Sequence, residues 1–172
     1  MTLTLTSPAF VSEEQAADPT VATPESVSMP PRFAMRAVPG GQNISIPYVW
    51  RGAPAGARSF VLALVDMAPV AHSWVHWLVI DLPADSSALR EGASGTTAMP
   101  GGAVELRNTF GNFGYGGPQP PIGTGAHPYV ATIYALDTDS LALGAAATRE
   151  DVLRAIDGHV LAAAACTGRF GR

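Results

Sequence analysis

One stretch of the sequence, residues 111–125, holds six glycines and three prolines in fifteen positions. Glycine weakens helices and strands through its backbone freedom, and proline lacks the amide hydrogen that both need. We therefore expect this stretch to be an irregular loop. Because the whole chain carries 18 glycines and 15 prolines in 172 residues, the sequence disfavours a helical bundle and favours a β-rich fold with long connections.

Three segments have the apolar composition of strands in the middle of a sheet: residues 59–65, 74–80 and 129–136. The first two are apolar at almost every position, as expected for strands covered on both faces. Shorter strand patterns occupy residues 2–6, where Thr and Leu alternate, and residues 43–50. These patterns predict a sheet with at least three central strands.

Residues 148–165 have the pattern of an α-helix. Thr148 is a suitable N-cap, and two acidic residues follow it in the first turn. An apolar stripe with four-residue spacing then runs through Val152, Ile156 and Val160. The segment predicts a C-terminal helix that packs on the sheet.

The chain shows no internal repeat and no second domain boundary. Its polar residues 12–28 predict a loop inserted near the start, and residues 83–102 predict another loop. A length of 172 residues suits one domain. We therefore expect a single, mainly β domain over residues 1–172.

The charged residues exclude several classes of protein. All ten basic residues are Arg, so a P-loop lysine and Schiff-base chemistry are excluded. The net charge of -4 argues against nucleic-acid binding. Since Cys166 is the single cysteine, it cannot form an internal disulfide or a cysteine-based zinc site. We expect no metal and no cofactor.

The start of the chain has no basic segment followed by an apolar one, so we expect no signal peptide. No apolar run approaches the length of a membrane-spanning helix. The sequence also has no basic amphipathic helix. These features predict a cytoplasmic protein without membrane association.

Two histidines and one aspartate could form a site. His76 shares a strand face with Trp74, and His127 shares one with Tyr129, while Asp66 follows the first central strand. Each residue also has an ordinary structural interpretation, as a core histidine or a turn aspartate. His72 and His159 are expected at the surface, the first in a loop and the second on the helix.

Six segments, in order, resemble the phosphatidylethanolamine-binding protein (PEBP) family, in its bacterial Raf-kinase-inhibitor-like branch. They are Asn43-Ile-Ser-Ile-Pro47 with Trp50, Pro54-Ala-Gly-Ala-Arg-Ser59-Phe60, Trp74-Val-His76-Trp77, Asn108-Thr-Phe-Gly-Asn-Phe-Gly-Tyr115-Gly-Gly-Pro118-Gln-Pro-Pro121, His127-Pro-Tyr129 and Tyr134-Ala-Leu-Asp137-Thr-Asp139. The resemblance covers essentially the whole chain. It implies a large central β-sheet, a smaller second sheet and a helix at the C-terminus.

The resemblance also implies a small anion pocket at one end of the sheet. In the family, such a pocket accepts phosphate, acetate or a phosphoethanolamine headgroup. Carried over to this chain, the resemblance assigns the pocket to Asp66, Trp74, His76, Tyr115, Gly117, Pro118, His127 and Tyr129. Two imidazoles and a glycine-rich loop are suitable donors for an anion, which favours one shared site over two separate core histidines.

The chain departs from the family at three places. The family's Asp-Pro-Asp-Ala-Pro loop is here Val65-Asp66-Met67-Ala68-Pro69, so one aspartate is missing. Pro128 replaces the arginine of the His-Arg-Tyr motif, and Phe170 stands where a tyrosine is common in bacterial members. These changes predict a less acidic and more apolar site, and they weaken the case for a phosphoethanolamine ligand.

Three functions fit the sequence. The first is a non-enzymatic protein that binds a small anionic or polar organic ligand, such as a phosphorylated metabolite or a phospholipid headgroup. The second is a biosynthetic enzyme that uses His76, His127 and Asp66 for general acid–base isomerisation, cyclisation or dehydration. The third is an inhibitor that binds a kinase or a protease through its surface. A homodimer is compatible with each.

Overall fold

The computed structural model describes residues 2–12 and 27–172. Its ten strands are β1 (Thr4–Thr6), β2 (Val11–Ser12), β3 (Val27–Ser28), β4 (Tyr48–Arg51), β5 (Ser59–Asp66), β6 (Trp74–Pro83), β7 (Ala88–Leu89), β8 (Val104–Glu105), β9 (His127–Leu136) and β10 (Val160–Phe170). One α-helix, α1 (Arg149–Ala155), lies between β9 and β10. Two short 3₁₀ helices cover Pro31–Phe33 and Pro69–Ala71.

The strands form two sheets. The larger has seven strands in the order β2-β3-β10-β9-β5-β6-β8, and the smaller has three in the order β1-β4-β7. The four long strands β10, β9, β5 and β6 pair antiparallel. A single parallel pairing, Arg169 with Ser28, joins β10 to β3.

The central strand β5 is buried at all eight positions because both of its faces are covered. Phe60, Leu62 and Leu64 belong to the apolar cluster that also contains Trp50 of the small sheet. The alternate residues of β5 point to the other face, where their cluster includes Val152 and Ile156 from the region of α1. The predicted mainly β fold with a large and a small sheet is confirmed.

The predicted helix over residues 148–165 is wrong in its second half. Its start is as expected, because Thr148 and Asp151 form a reciprocal capping box. The helix ends at Ala155, and Gly158 turns the chain with a positive φ of 79°. The rest of the segment is β10, which pairs with β9 from Val160 to Phe170. The helix therefore precedes the last strand and does not end the chain.

The other elements largely follow expectation. The three predicted central strands are present, each extended by one to three residues, and residues 111–125 contain no helix or strand. The predicted strand over residues 43–50 shortens to Tyr48–Arg51, and the predicted loop 83–102 contains the two-residue strand β7. Most of the predicted loop 12–28 lies outside the described residues. No helix in the described parts of the chain is long and apolar enough to cross a bilayer.

Candidate functional site

Three polar side chains meet at one end of the large sheet. Strand β5 is antiparallel to both of its neighbours, so its last residue, Asp66, pairs with Trp74 at the start of β6 and with Tyr129 near the start of β9. This register brings Asp66 close to His76 and His127. The three residues that the sequence proposed as a site are therefore neighbours in the fold.

These three residues line a cavity of about 260 Å³. Its other lining residues are Val70, Ala71, Trp74, Phe110, Gln119, Pro120 and Pro121. Among the residues described, Asp66 is the one acidic side chain of the lining. The cavity therefore has a few polar groups against walls that are mostly apolar, which is typical of small-molecule sites.

Asp66 is 4% exposed, and both of its carboxylate oxygens are hydrogen-bonded. Oδ1 accepts a hydrogen bond of 2.9 Å from the amide of Ala68, and Oδ2 lies 2.6 Å from Nδ1 of His127. Since an ionised carboxylate can only accept, Nδ1 of His127 is the donor. A buried carboxylate held by two hydrogen bonds is fixed in orientation.

The other nitrogen of His127 is also in contact. Nε2 lies 2.8 Å from Oγ1 of Thr124, and the same hydroxyl donates to the carbonyl oxygen of Pro121 at 2.7 Å. These contacts link Asp66, His127, Thr124 and Pro121 in one chain of hydrogen bonds. Pro121 also lines the cavity, so this series of hydrogen bonds connects the polar end of the site to its wall.

His76 is 2% exposed and is held by the glycine-rich loop. Its Nδ1 donates to the carbonyl oxygen of Gly116 at 2.6 Å, and the amide of Gly116 donates to the backbone carbonyl of His76 at 2.8 Å. Burial lowers the pKa of His76, although the Gly116 carbonyl and the charge of Asp66 oppose this. The ring is thus neutral near pH 7, with its proton on Nδ1.

Tyr129 lies between the two histidines. Its ring centroid is 5.1 Å from that of His76 in an edge-on contact and 6.4 Å from that of His127 in a stacked one. The hydroxyl is buried beside the Asp66 carboxylate, and no contact in the described parts of the chain has the full geometry of a hydrogen bond to it. Burial raises the pKa of Tyr129, and the charge and proximity of the Asp66 carboxylate raise it further. The tyrosine packs against the histidines without lining the cavity.

Tyr115, Gly117 and Pro118 hold the glycine-rich loop against the segment 33–43. The Tyr115 hydroxyl donates to the carbonyl of Phe33, the Gly117 amide donates to Oδ1 of Asn43 at 2.7 Å, and the Pro118 carbonyl accepts from the amide of Met35. These three predicted site residues are not among the cavity lining. Their contact with a ligand stays a prediction.

The sequence did not single out several residues of the site: the lining residues Val70, Ala71, Phe110, Gln119, Pro120 and Pro121, and Thr124, which contacts His127. Thr124 gave a local signal, because it lies three residues before His127 and between two glycines. Phe110 and residues 119–121 lie within the family-like segment that begins at Asn108, whereas Val70 and Ala71 gave no signal.

The two remaining histidines lie away from the cavity lining. His72 is exposed in the connection between β5 and β6, as expected. His159 is also exposed, but it lies in the turn before β10 and not on the helix, where its Nδ1 is 2.7 Å from Oδ1 of Asp137. Within residues 2–12 and 27–172, no group of three or more His, Cys, Asp or Glu side chains is arranged to hold a metal ion.

Curated relatives of similar length match most of the chain. A UPF0098 protein of Methanothermobacter thermautotrophicus is 40% identical over 141 residues, which cover 82% of this chain and 91% of the relative. The UPF0098 protein YbhB of Escherichia coli is 40% identical over 132 residues, which cover 76% of this chain and 83% of YbhB.

Solved structures and a family model agree with these relatives. The crystal structure of E. coli YbcL, described as a member of the mammalian PEBP family, has a TM-score of 0.84 and 27% identity, with 100% of this chain and 99% of YbcL covered. A PEBP homologue, CT736 of Chlamydia trachomatis, has a TM-score of 0.78 and 31% identity, with 99% and 98% covered. The family model of the phosphatidylethanolamine-binding proteins matches residues 19–171. This chain therefore belongs to the phosphatidylethanolamine-binding protein family.

Proposed function

We propose that the chain binds a compact organic acid or phosphorylated compound. Its acidic group would lie at Asp66, His76 and His127, and its apolar part would lie against the cavity walls. The observation that carries this proposal is a cavity of about 260 Å³ whose ionisable groups gather at one end. Membership of a family named for binding phosphatidylethanolamine supports a ligand-binding role in general.

Two features of the site give an ammonium group little to bind. Both oxygens of Asp66 already accept a hydrogen bond, one from the Ala68 amide and one from His127. The position after Asp66 is Met67, which has no charge. A phosphoethanolamine ligand would thus lack a carboxylate for its ammonium group, whereas a simple phosphate or carboxylate would not need one.

The walls of the cavity favour an apolar body on the ligand. Trp74 and Phe110 form one side, with their ring centroids 5.2 Å apart, and Pro120 and Pro121 also contribute. Burial of apolar surface contributes about 25 cal/mol per Å². At about 260 Å³ the cavity falls below the roughly 300–1,000 Å³ of sites for drug-sized ligands, so the ligand is compact.

Isothermal titration calorimetry with four probes tests this proposal. We expect phenyl phosphate and benzoate to bind more tightly than inorganic phosphate. O-phosphoethanolamine should have the same affinity as inorganic phosphate. His76→Ala should abolish binding, whereas His159→Gln, at an exposed histidine outside the cavity, should not change it. Absence of binding for all four probes, or affinities that His76→Ala leaves unchanged, would overturn the proposal.

A second candidate function is general acid–base catalysis in the same cavity. It is favoured by the environment of His76, a neutral imidazole whose Nδ1 proton is held by Gly116 inside an apolar cavity. The probe is 5-nitrobenzisoxazole. Nε2 would take the proton from its carbon while the N–O bond breaks to give a cyanophenolate. Saturable turnover that His76→Ala abolishes supports catalysis, and a rate no higher than that of free imidazole argues against it.

A further inference from the structure

The two histidines of the cavity differ in what their ring nitrogens contact. Nδ1 of His127 faces Oδ2 of Asp66, and Nε2 of His127 faces Oγ1 of Thr124. For His76, Nδ1 faces the carbonyl oxygen of Gly116, and Nε2 makes no hydrogen bond within the described parts of the chain. The positions of the protons follow from these partners.

Both ring nitrogens of His127 already have partners. Nδ1 lies 2.6 Å from Oδ2 of Asp66, and Nε2 lies 2.8 Å from the hydroxyl of Thr124, which also donates to the Pro121 carbonyl at 2.7 Å. Neither nitrogen of His127 therefore remains for a ligand.

His76 has the opposite arrangement. Nδ1 donates a hydrogen bond to the Gly116 carbonyl, so in the neutral ring Nε2 carries a lone pair. The His76 ring also lines the cavity. The titratable groups near it are Asp66 of β5 and His127 and Tyr129 of β9, and the charge of Arg172 acts on Tyr129 in turn. The charge of Asp66 raises the pKa of His76 more than His127 lowers it, but burial outweighs both. Tyr129 stays protonated because burial raises its pKa.

The ligand-free cavity therefore offers an acidic ligand a hydrogen-bond acceptor and no free donor from its histidines. A carboxylate or phosphate placed against the lone pair of Nε2 would be repelled. Resting on the function proposed above, we propose that an acidic ligand binds together with one proton, which is shared between the ligand and Nε2 of His76. The site thereby selects the acid form of its ligand.

The sign of the pH dependence follows from this proton. Burial lowers the pKa of His76 in the free protein, and a bound anion raises it again. Between these two values each bound ligand takes up one proton, so the dissociation constant rises as the pH rises. The limit is a tenfold rise per pH unit, which corresponds to one proton per ligand.

Calorimetry with benzoate between pH 6 and 8 tests the proposal, because benzoate itself is ionised throughout this range. Titrations at one pH in buffers with different ionisation enthalpies give the number of protons taken up. We expect a number close to one for the wild type and for His159→Gln, and a number close to zero for His76→Gln. Binding that is independent of pH and takes up no proton would overturn this inference and leave the proposed function intact.

A measurement on the ligand-free protein tests the proton positions directly. The ¹⁵N chemical shifts of the His76 ring should show a protonated Nδ1 and an unprotonated Nε2. A protonated Nε2 in free His76 would overturn the inference even if benzoate binds. If none of the four probes binds, the proposed function fails, and this inference fails with it.

Discussion

Nδ1 of His127 lies 2.6 Å from Oδ2 of Asp66, and the two residues are 2% and 4% exposed. A buried pair of this kind is stable because the ring N–H donates to the carboxylate, so neither polar group is left without a hydrogen-bond partner. The amide of Ala68 completes the arrangement by donating to the second carboxylate oxygen. This pair joins two neighbouring strands, β5 and β9, at the end where the cavity lies.

We expect Asp66→Asn and His127→Gln each to destabilise the fold, because each leaves a buried polar partner incompletely paired. A hydrogen bond to a charged group contributes about 1.5–3 kcal/mol. Urea unfolding of both single variants and the double variant gives their coupling energy, which should exceed about 1 kcal/mol. Additive effects would show that the two side chains do not stabilise each other.

Thr124→Val should remove the hydrogen-bond partner of Nε2 of His127 while keeping the shape of the side chain. Thr124 is exposed, so water can reach this contact, and the loss of the hydrogen bond should cost about 0.5–1.5 kcal/mol. We expect the ¹⁵N shift of Nε2 to change when the partner is lost. The control is Thr138→Val, because the Thr138 hydroxyl donates to Ser140 at an exposed site. Urea unfolding and the ¹⁵N shift of Nε2 are the measurements, and an unchanged shift would contradict the assigned role of Thr124.

Gly117→Ala should be strongly destabilising. A Cβ atom there would lie 2.2 Å from the carbonyl oxygen of Phe33 and 2.7 Å from the carbonyl carbon of Ala34. Both are backbone atoms, which cannot move away as the end of a flexible side chain can. Overpacking of this kind costs about 1–3 kcal/mol. At Gly144 a Cβ would meet nothing within 4 Å, so Gly144→Ala should change the free energy of unfolding by less than about 0.5 kcal/mol. Equal effects of the two variants would contradict the close contact at Gly117.

Phe110→Ala should weaken the binding of phenyl phosphate about tenfold. The ring packs edge-on against Trp74 and His76 in the cavity wall, and an aromatic contact contributes about 0.5–1.5 kcal/mol beyond its buried area. Inorganic phosphate should be affected much less, because it does not reach the wall. Phe113→Ala is the control, since that ring is exposed and stacks on Arg107. A similar loss for both probes would argue against an apolar wall for the ligand.

His76 should make stability depend on pH in a defined direction. Its pKa is lowered in the folded protein mainly by burial, so the unfolded chain binds more protons between that value and its ordinary pKa. The stabilisation from neutral His76 is therefore fully present above the ordinary pKa, near 6.5, and is lost as the pH falls through the lowered value. Urea unfolding from pH 8 to pH 5 should show a smaller decline in His76→Gln than in the wild type. Parallel curves would contradict the burial of a neutral ring.

The central strands could be predicted from sequence because burial on both faces leaves a continuous apolar run, as in β5. The end of the helix could not be predicted from the sequence. Val152, Ile156 and Val160 keep a helical spacing, and the alanines that follow favour neither element strongly. Pairing with β9 decides that Val160–Phe170 is a strand, and such pairing depends on residues far away in the chain.

The candidate site was predicted only in part for a similar reason. Asp66, His76 and His127 stood out because polar residues are unusual beside apolar strands and matched family motifs. Phe110 and Pro120 also lie within a family-like segment, but their place in the cavity wall depends on how the glycine-rich loop meets the end of the sheet. The contact of Thr124 with His127 is local in sequence, but its direction depends on the fold of the turn.

The cavity takes its ionisable groups from strands and most of its walls from loops. Asp66, His76 and His127 lie in β5, β6 and β9, whereas Val70, Phe110 and Gln119 to Pro121 lie in connections outside the strands. Loops tolerate substitution, insertion and deletion far better than paired strands do. Changes in these connections would therefore alter the size and shape of the cavity while Asp66, His76 and His127 keep their places in the sheet. Such changes would adapt the cavity to new molecules without redesign of the sheet.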